Sequence, residues 1–210
     1  MKSTTQIMNE ATSIHGMLHQ QREMNNCLAF LSDKNLHGFI EVGCANGGSF
    51  YCWASIIDGP KVSVDLNHGF GLSEGLPGAN TFDDVAAAYE ATNELVKARN
   101  DKWREHYNDV RIVEGNSLSE KTIQKVKDTL NGQTVGWVFI DAWHEYFAAV
   151  EDLKNFKQFL SPNGYIGFHD INQSQSMKDF WNEMVRTYDN TITLPEDNGI
   201  GIIPAESLRV

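Results

Sequence analysis

A chain of 210 residues is long enough for one domain with a sizeable hydrophobic core. Its net charge of −11 argues against a broad nucleic-acid-binding surface, because phosphate recognition needs clustered Lys and Arg. No stretch reaches the ~18 uninterrupted apolar residues of a membrane span. The first residues also lack the apolar core of a signal peptide, so the sequence predicts a cytoplasmic protein that binds neither membranes nor nucleic acids.

The N-terminal residues predict a helical cap over residues 1–35, ahead of a second unit that spans residues 36–210. Apolar residues at Ile7, Ala11, Ile14 and Leu18 predict an amphipathic helix within residues 4–20. A second helical piece is predicted over residues 25–31. His15 and His19 lie one turn apart on the first helix, and we interpret them as a solvated pair because no third metal ligand is evident nearby.

Residues 38–57 predict a strand, a glycine-containing loop and a helix. A dinucleotide fingerprint would have glycine where Ala45 stands, and Glu41 would repel a phosphate but attract a cation. The loop therefore favours S-adenosylmethionine, which carries an ammonium and a sulfonium group, over NAD. A plain tight turn is the alternative. The candidate cofactor contacts here are Glu41, Gly43, Cys44, Ala45, Asn46, Gly47, Gly48 and Ser49.

The second strand, residues 61–65, ends in Asp65, 22 residues after Gly43, where this kind of sheet places an acid that binds ribose hydroxyls. A turn aspartate is the alternative. The glycine-rich residues 67–78 are interpreted as a lid or as a surface loop. The helix predicted over residues 82–107 either packs on the sheet or presents a surface to a partner helix, which leaves a homo-oligomer open.

A third strand, residues 110–113, leads to Asn116, which can offer a donor and an acceptor to an adenine edge. Ser117 follows as the predicted N-cap of a helix that runs to Leu130, with Glu120 completing a capping box. Both Asn116 and Ser117 are candidate cofactor contacts.

Two further strands each end in an aspartate. The fourth, residues 135–141, delivers Asp141, and the fifth, residues 165–168, is followed by His169 and Asp170. Because the ends of neighbouring parallel strands share one rim of a sheet, Asp141 and Asp170 are expected to meet there and to hold a divalent cation, Mg²⁺ above all. The alternative role for each aspartate is loop capping. A helix over residues 174–188 and a hairpin of strands at 191–194 and 199–203 complete the chain.

Several motifs together carry a family resemblance. They are Ile40-Glu41-Val42-Gly43 with Gly47-Gly48-Ser49, Val64-Asp65, Phe139-Ile140-Asp141 with His144 and Tyr146, Gly164-Tyr165-Ile166 with His169-Asp170, and Gly199-Ile200-Gly201-Ile202. The chain resembles class I S-adenosylmethionine-dependent methyltransferases, and within them the metal-dependent small-molecule O-methyltransferases that include the cephalosporin-hydroxylase-like and macrolide-sugar enzymes.

The resemblance implies a single-domain, Rossmann-like α/β fold with a seven-stranded, mostly parallel sheet and a C-terminal antiparallel hairpin. It also implies that Glu41 and the glycine loop hold the methionine end, Asp65 the ribose and Asn116 the adenine. Asp141 would be both a metal ligand and a catalytic and cofactor-binding residue, and Asp170 a second ligand. His144 would be the general base, with a hydrogen-bonded loop histidine as the alternative.

Two positions depart from the family pattern. His169 stands where relatives often have Glu or Asp. Because histidine also ligates Mn²⁺ or Fe²⁺, His169 is counted as a third metal ligand and leaves the metal's identity open, with a core histidine as the alternative. Trp143 stands where small polar residues are common, and would narrow the acceptor pocket or stack on a ring.

The expected function is metal-assisted O-methylation of a small hydroxyl-bearing acceptor. The alternatives are a catalytically silent S-adenosylmethionine-binding or dimerisation module and an NAD-dependent oxidoreductase. Calorimetry with the two cofactors would separate the methyltransferase from the oxidoreductase.

Overall fold

The computed structural model describes residues 2–17, 19–66 and 82–209, and within the helix that begins at Phe82 it describes side chains from residue 93 onward. The described strands are β1 His37–Val42, β2 Asp58–Asp65, β3 Val110–Glu114, β4 Val135–Ile140, β5 Leu160–Phe168, β6 Ile192–Leu194 and β7 Ile200–Pro204. The described helices are α1 Thr4–His15, α2 Gln21–Ser32, α3 Gly48–Ile56, α4 Phe82–His106, α5 Glu120–Leu130, α6 Tyr146–Phe156 and α7 Gln175–Thr187. The predicted lid at residues 67–78 lies outside this part of the chain.

The described strands form one sheet in the order β3-β2-β1-β4-β5-β7-β6. Strands β1 to β5 pair in parallel, and β7 runs antiparallel to both β5 and β6. The predicted mostly parallel sheet with a C-terminal antiparallel hairpin is therefore confirmed. The chain runs outward from β1 to β3 and then returns to β4, so the strand order reverses between β1 and β4. Ligands of open α/β sheets bind at such a reversal.

Helices cover both faces of the sheet, which is why its central strands are apolar. In β4, Val138 and Ile140 point into a core shared with α5, α6 and α7, whereas Trp137 and Phe139 point into a second core shared with the N-terminal helices and α3. Successive side chains of a strand alternate between faces, so one strand supplies both cores. The cysteines at 27, 44 and 52 are free and buried, as expected for packing residues.

The first helix is shorter than the sequence predicts. It ends at His15, and Gly16 follows in the left-handed conformation with φ of 61°. Glycine adopts that conformation without steric cost and ends helices for this reason. His15 and His19 therefore do not share a helix face, and the predicted helix over residues 4–20 is wrong at its C-terminal end.

The predicted N-cap of α5 is also wrong. Ser119, not Ser117, precedes the helix. The Asn116 side chain explains the difference, because its Oδ1 accepts a hydrogen bond from the Leu118 N–H at 2.9 Å and bends the chain before the helix begins.

Two strands begin earlier than predicted. Asp58 pairs with His37 and Leu160 pairs with Val135, each followed by an irregularity in register. The preceding helices α3 and α6 already end at Ile56 and Phe156, so Gly59-Pro60 and Pro162-Asn163-Gly164 do not end them. The irregular pairing accommodates these turn residues within β2 and β5.

The described part of α4 packs against the protein's own core. Trp103 is fully buried and stacks on Phe50 of α3, with ring centroids 4.0 Å apart. This supports the packing alternative for the C-terminal half of the helix. The side chains of residues 82–92, in the N-terminal half of the helix, lie outside the described part. No helix in the described ranges is both long and apolar enough to cross a bilayer.

Candidate active site

The glycine loop lies between β1 and α3, beside the reversal of strand order. Gly43 and Gly47 have φ of 81° and 89°, in the left-handed region. A Cβ on Gly43 would lie 2.2 Å from the carbonyl oxygen of Asp141, and one on Gly48 would lie 2.3 Å from the Cβ of Met17. The protein's own chain thus makes the close approaches that require glycine at 43 and 48. Contact of the loop with a cofactor stays a prediction.

Glu41 lies fully buried under this loop. Its Oε1 accepts a hydrogen bond from the Ser49 hydroxyl, whereas Oε2 has no hydrogen-bond partner among the described residues. Burial raises the pKa of the Glu41 carboxyl well above its usual value. A cationic donor reaching Oε2 would lower that pKa again, as expected for a carboxylate that receives an ammonium group.

Asp65 joins the end of β2 to the loop. Its Oδ2 accepts a hydrogen bond from the Cys44 N–H at 3.0 Å and pairs with Arg99 Nη1 at 3.3 Å. Arg99, which the sequence did not indicate as a site residue, also donates to the Ala45 carbonyl oxygen. A ribose bound at Asp65 would therefore share that carboxylate with donors of the protein itself.

The remaining predicted cofactor contacts lie around the same edge. Asn46 donates from Nδ2 to the Gly16 carbonyl oxygen at 3.2 Å, which ties the loop to the N-terminal segment. Asn116 is exposed after β3, with its Oδ1 already accepting from Leu118. Ser117 is partly buried, and its carbonyl oxygen accepts from Asn155. The side-chain oxygen of Asn116 is thus used in the turn, whereas its amide NH₂ group takes no part in that hydrogen bond.

The two predicted aspartates come together at the ends of β4 and β5. One ligand atom from each of Asp141, His144, His169 and Asp170 lies within 4.8 Å of the others. The pairing of Ile140 with Phe168 brings the two strand ends level, and the His169 N–H donates to the Ile140 carbonyl oxygen at 3.0 Å. We call these four residues the carboxylate–imidazole rim.

Both rings of the rim bridge the two carboxylates. His144 lies with Nε2 3.1 Å from Asp141 Oδ1 and Nδ1 2.8 Å from Asp170 Oδ2. His169 Nδ1 lies 2.9 Å from Asp141 Oδ1 and 3.1 Å from Asp170 Oδ1. The aspartates and the rings thus stabilise each other's charged forms.

The pKa values of the rim follow from this arrangement. Burial disfavours the charged forms of both rings, but hydrogen bonds and charge from the aspartates outweigh it and raise the pKa of His144 and of His169 to about 10. Burial alone would raise the pKa of Asp141, yet the charges of His169 and His19 hold it well below its ordinary value. The rim therefore concentrates negative oxygens that are balanced by protons on imidazole.

Two residues that the sequence alone did not indicate, His19 and Glu23, also reach the rim. His19 Nε2 lies 2.9 Å from Asp141 Oδ2, and its side chain is 7% exposed, so the interpretation of His19 as solvated is wrong. His15 instead stacks on Tyr51 at 4.3 Å. Glu23 is fully buried and accepts from His169 Nε2 at 2.9 Å. The spacing of His15 and His19 did not indicate this position, and Glu23 belongs to no spacing motif.

The donor set of the rim fits a divalent cation. Two carboxylates and two imidazoles offer ligand atoms within 4.8 Å of one another. Ligands on opposite sides of an ion with bonds of about 2.1 Å are about 4.2 Å apart, close to this spread. Asp141 and Asp170 offer hard oxygens, and His169 offers a nitrogen that suits Mn²⁺ or Fe²⁺.

Exposed aromatic side chains flank the rim. Trp143 and Phe147 are 57% and 53% exposed and meet edge to face, with ring centroids 4.8 Å apart. Trp143 directly precedes His144, so this apolar surface lies next to the rim.

The order of the strands, the glycine loop at the point of reversal and the acidic strand ends define a class I methyltransferase fold. A family model described as a methyltransferase domain matches residues 40–171, more than half of the chain, and this range contains the loop and the rim. The chain belongs to this family of methyltransferase domains. No curated protein matches the sequence significantly.

Solved structures of methyltransferases share the fold. A Staphylococcus aureus protein provisionally described as a caffeoyl-CoA O-methyltransferase is 18% identical, with 97% of this chain and 92% of that chain covered and a TM-score of 0.62. The SAH-bound methyltransferase PaMTH1 of Podospora anserina is 15% identical, with coverage of 95% and 86% and a TM-score of 0.57. The calicheamicin methyltransferase CalS11 is 13% identical, with coverage of 96% and 90% and a TM-score of 0.56. At these identities the likeness concerns the fold.

Proposed function

We propose that this methyltransferase uses S-adenosylmethionine to methylate a hydroxyl oxygen of a small molecule, with a divalent cation at the carboxylate–imidazole rim. The observation that carries the proposal is the contact between the glycine loop and the rim, where Gly43 abuts the backbone of Asp141. A methyl donor in the loop and an acceptor at the rim would be neighbours. The SAH-bound Podospora protein and the described activity of the Staphylococcus protein agree with this donor and with O-methylation.

The chemistry requires an acceptor oxygen that is aligned with the methyl carbon and has lost its proton. Asp141, His169 and Asp170 are the residues that would hold the cation, which supplies Lewis acidity that makes a bound hydroxyl more acidic. Glu41, with its uncommitted Oε2, would bind the ammonium group of the donor, and Asp65 would bind the ribose.

His144 is the base in this proposal. Its pKa is raised because both ring nitrogens face aspartate oxygens. A cation held by the rim would compensate the charge of those aspartates in place of the proton on His144. The pKa of His144 would then return toward the ordinary ~6.5, at which imidazole can take up a proton at neutral pH. For that step one ring nitrogen of His144 would exchange its aspartate oxygen for the acceptor hydroxyl, whose proton it would then receive.

The imidazole in the donor set bears on the choice of metal. Mg²⁺ prefers oxygen ligands and retains several waters, whereas Mn²⁺ accepts both carboxylate and imidazole. Because His169 directs Nδ1 at both aspartates, the rim suits Mn²⁺ better than the Mg²⁺ expected from the carboxylates alone. The aromatic pair of Trp143 and Phe147 supports an acceptor with an apolar or ring face.

The test combines binding with turnover. Protein stripped with EDTA is titrated calorimetrically with S-adenosylmethionine, S-adenosylhomocysteine and NAD, and is then assayed for S-adenosylhomocysteine formation on a panel of hydroxyl compounds, with and without added Mn²⁺ or Mg²⁺. We expect binding of the first two ligands only, and turnover that depends on the metal. Absence of binding to both would refute the methyltransferase proposal, and binding without turnover on a broad panel would favour the silent module.

Asp170→Asn tests the rim directly. Asp170 has φ of 60°, a conformation that asparagine also tolerates, so the substitution removes the charge without straining the backbone. We expect donor binding to persist and metal-stimulated turnover to fall by roughly 100-fold. Asp109→Asn is the matched control. Asp109 has φ of 59° and lies where β3 begins, whereas the rim lies where β4 and β5 end. Full activity of Asp170→Asn in EDTA would reject the role of the metal.

A further inference from the structure

The segment between α1 and α2 reaches the carboxylate–imidazole rim from outside. His19 lies against the outer oxygen of Asp141, and Glu23, at the start of α2, lies against the outer nitrogen of His169. His19 contacts Asp141 at Oδ2, whereas Oδ1 faces the other rim side chains. Glu23 likewise contacts His169 at Nε2, whereas Nδ1 faces the aspartates. Contacts of this kind orient a ligand without touching the ion.

Glu23 is held rigidly in its position. Its Oε1 accepts from the Gln20 N–H at 3.0 Å as well as from His169, and its Oε2 accepts from the N–H groups of Asn198 and Gly199, each at 3.1 Å. Four donors thus fix a fully buried carboxylate between α2 and the loop before β7. Because a carboxylate only accepts, His169 must carry hydrogen on Nε2, and its Nδ1 is the atom presented to Asp141 and Asp170.

His19 has the corresponding effect on Asp141. Its Nε2 lies 2.9 Å from Asp141 Oδ2, so that Oδ1 is the oxygen that faces His144 and His169. The carboxylate cannot rotate freely about its own axis without losing this contact. The two rim ligands are in this way locked by one short stretch of chain.

We propose that His19 and Glu23 are positioning residues of the metal centre, through which the N-terminal segment sets the orientation of Asp141 and His169. This rests on the metal site of the proposed function. Metal-ligating histidines in proteins usually donate their second N–H to a carboxylate or carbonyl, and loss of such a partner weakens metal affinity by about 10–100-fold.

The experiment measures binding of Mn²⁺ alone, by calorimetry on the full chain. Glu23→Gln keeps the shape of the side chain. If its oxygen accepts from Asn198 and Gly199, its NH₂ faces His169 Nε2 and drives the hydrogen to Nδ1, which then cannot ligate. His19→Ala removes the contact to Asp141, and His19→Gln, which keeps an N–H donor, is expected to restore part of the affinity.

The matched controls come from the preceding helix α1. Glu10→Gln changes a carboxylate that binds Tyr51 and Lys2, and His15→Ala removes a ring that stacks on Tyr51. We expect the Kd for Mn²⁺ to rise tenfold or more in Glu23→Gln and His19→Ala and to change less than twofold in the controls. The visible spectrum of bound Co²⁺ should change in the same two variants, since it reports ligand orientation. Retained S-adenosylmethionine binding and an unchanged Tm in EDTA show that a variant is folded.

Folded His19→Ala and Glu23→Gln proteins that bind Mn²⁺ like the wild type would overturn the inference. If Glu23→Gln does not fold, His19→Ala and its rescue by His19→Gln decide it alone. A wild-type chain that binds no Mn²⁺ would overturn both this inference and the proposed role of the metal. Methyl transfer measured in EDTA would still test the methyltransferase activity itself. Tight Mn²⁺ binding without any methyl transfer would refute the proposed function and leave the positioning roles standing.

Discussion

The α-carbon of Gly43 faces the carbonyl oxygen of Asp141 so closely that a methyl group on it would lie 2.2 Å from that oxygen. The same two strand ends are joined by a hydrogen bond from the Asp141 N–H to the Val42 carbonyl oxygen at 2.8 Å. The glycine loop after β1 and the rim after β4 are therefore fitted to each other, and a change in one displaces the other.

Gly43→Ala is expected to destabilise the fold by roughly 2–4 kcal/mol, because it adds a steric clash to the cost of a left-handed backbone. Gly132→Ala is the matched control. Gly132 also has φ of 81° but has no atom within 4 Å of its would-be Cβ, so only the backbone cost of about 1 kcal/mol remains. Urea denaturation measures the free energy of unfolding of both variants. An equal loss in the two would mean that the chain avoids the clash with Asp141 by a small shift.

Mn²⁺ is expected to stabilise the folded chain. A ligand present at 100 times its Kd adds about 2.7 kcal/mol to the free energy of unfolding, which raises the Tm by roughly 5–10 °C in a protein of this size. Thermal unfolding in EDTA and in Mn²⁺ gives the shift. It should vanish in Asp170→Asn and persist in Asp109→Asn, and a shift that survives in Asp170→Asn would place the ion elsewhere.

Trp143→Ala is expected to raise the KM for a ring-bearing acceptor roughly fivefold, the equivalent of about 1 kcal/mol of aromatic contact, with little change in kcat. Stability should hardly change because the side chain is exposed. Leu95→Ala removes an apolar side chain that is 69% exposed on α4 and serves as the control. Steady-state kinetics on the best acceptor of the panel make the comparison, and a fall in kcat alone would contradict a binding role.

Asp152 is expected to make the stability of the fold fall as the pH rises from about 4 to 7, in the same direction as the buried carboxyl of Glu41. Burial raises the pKa of this carboxyl from 3.8 to about 7, so the folded chain binds a proton that the unfolded chain releases throughout this window. Asp152→Asn should therefore raise the free energy of unfolding by roughly 2–4 kcal/mol at pH 8 and hardly at all near pH 4.

The measurement for Asp152 is a series of urea denaturation curves between pH 4 and pH 8. Asp128→Asn, at an exposed position on α5, should leave the pH dependence unchanged. If the free energy of unfolding changed with pH to the same extent in the wild type and in Asp152→Asn, a group other than Asp152 would be responsible.

The sheet and the aspartates of the rim could be predicted from the sequence because both follow from local patterns. Apolar runs that end in Asp65, Asp141 and Asp170 mark parallel strands whose ends share an edge, and the structure brings Asp141 and Asp170 together there. The exact starts of β2 and β5 were missed because turn residues such as Pro60 and Pro162 are tolerated where the pairing is irregular.

The contributions of His19, Glu23 and Arg99 could not be read from the sequence. Each reaches its partner across a separation in the chain, of 122 residues for His19 and Asp141 and 146 for Glu23 and His169. Gly16 ends α1 and turns the chain toward the rim, and a helix pattern that continued to residue 20 hid this turn. Long-range contacts of single polar residues leave no periodic signal.

The hydrogen bonds from Asn198 and Gly199 to Glu23 join residues 175 and 176 positions apart. During synthesis, an emerging chain can form β1 to β4 and the glycine loop long before residue 198 has left the ribosome, but it cannot close this link. Contacts with such large separation in sequence are formed late because they require the largest loop to close. The part of the molecule that orients His169 is therefore completed only when nearly the whole chain has been translated.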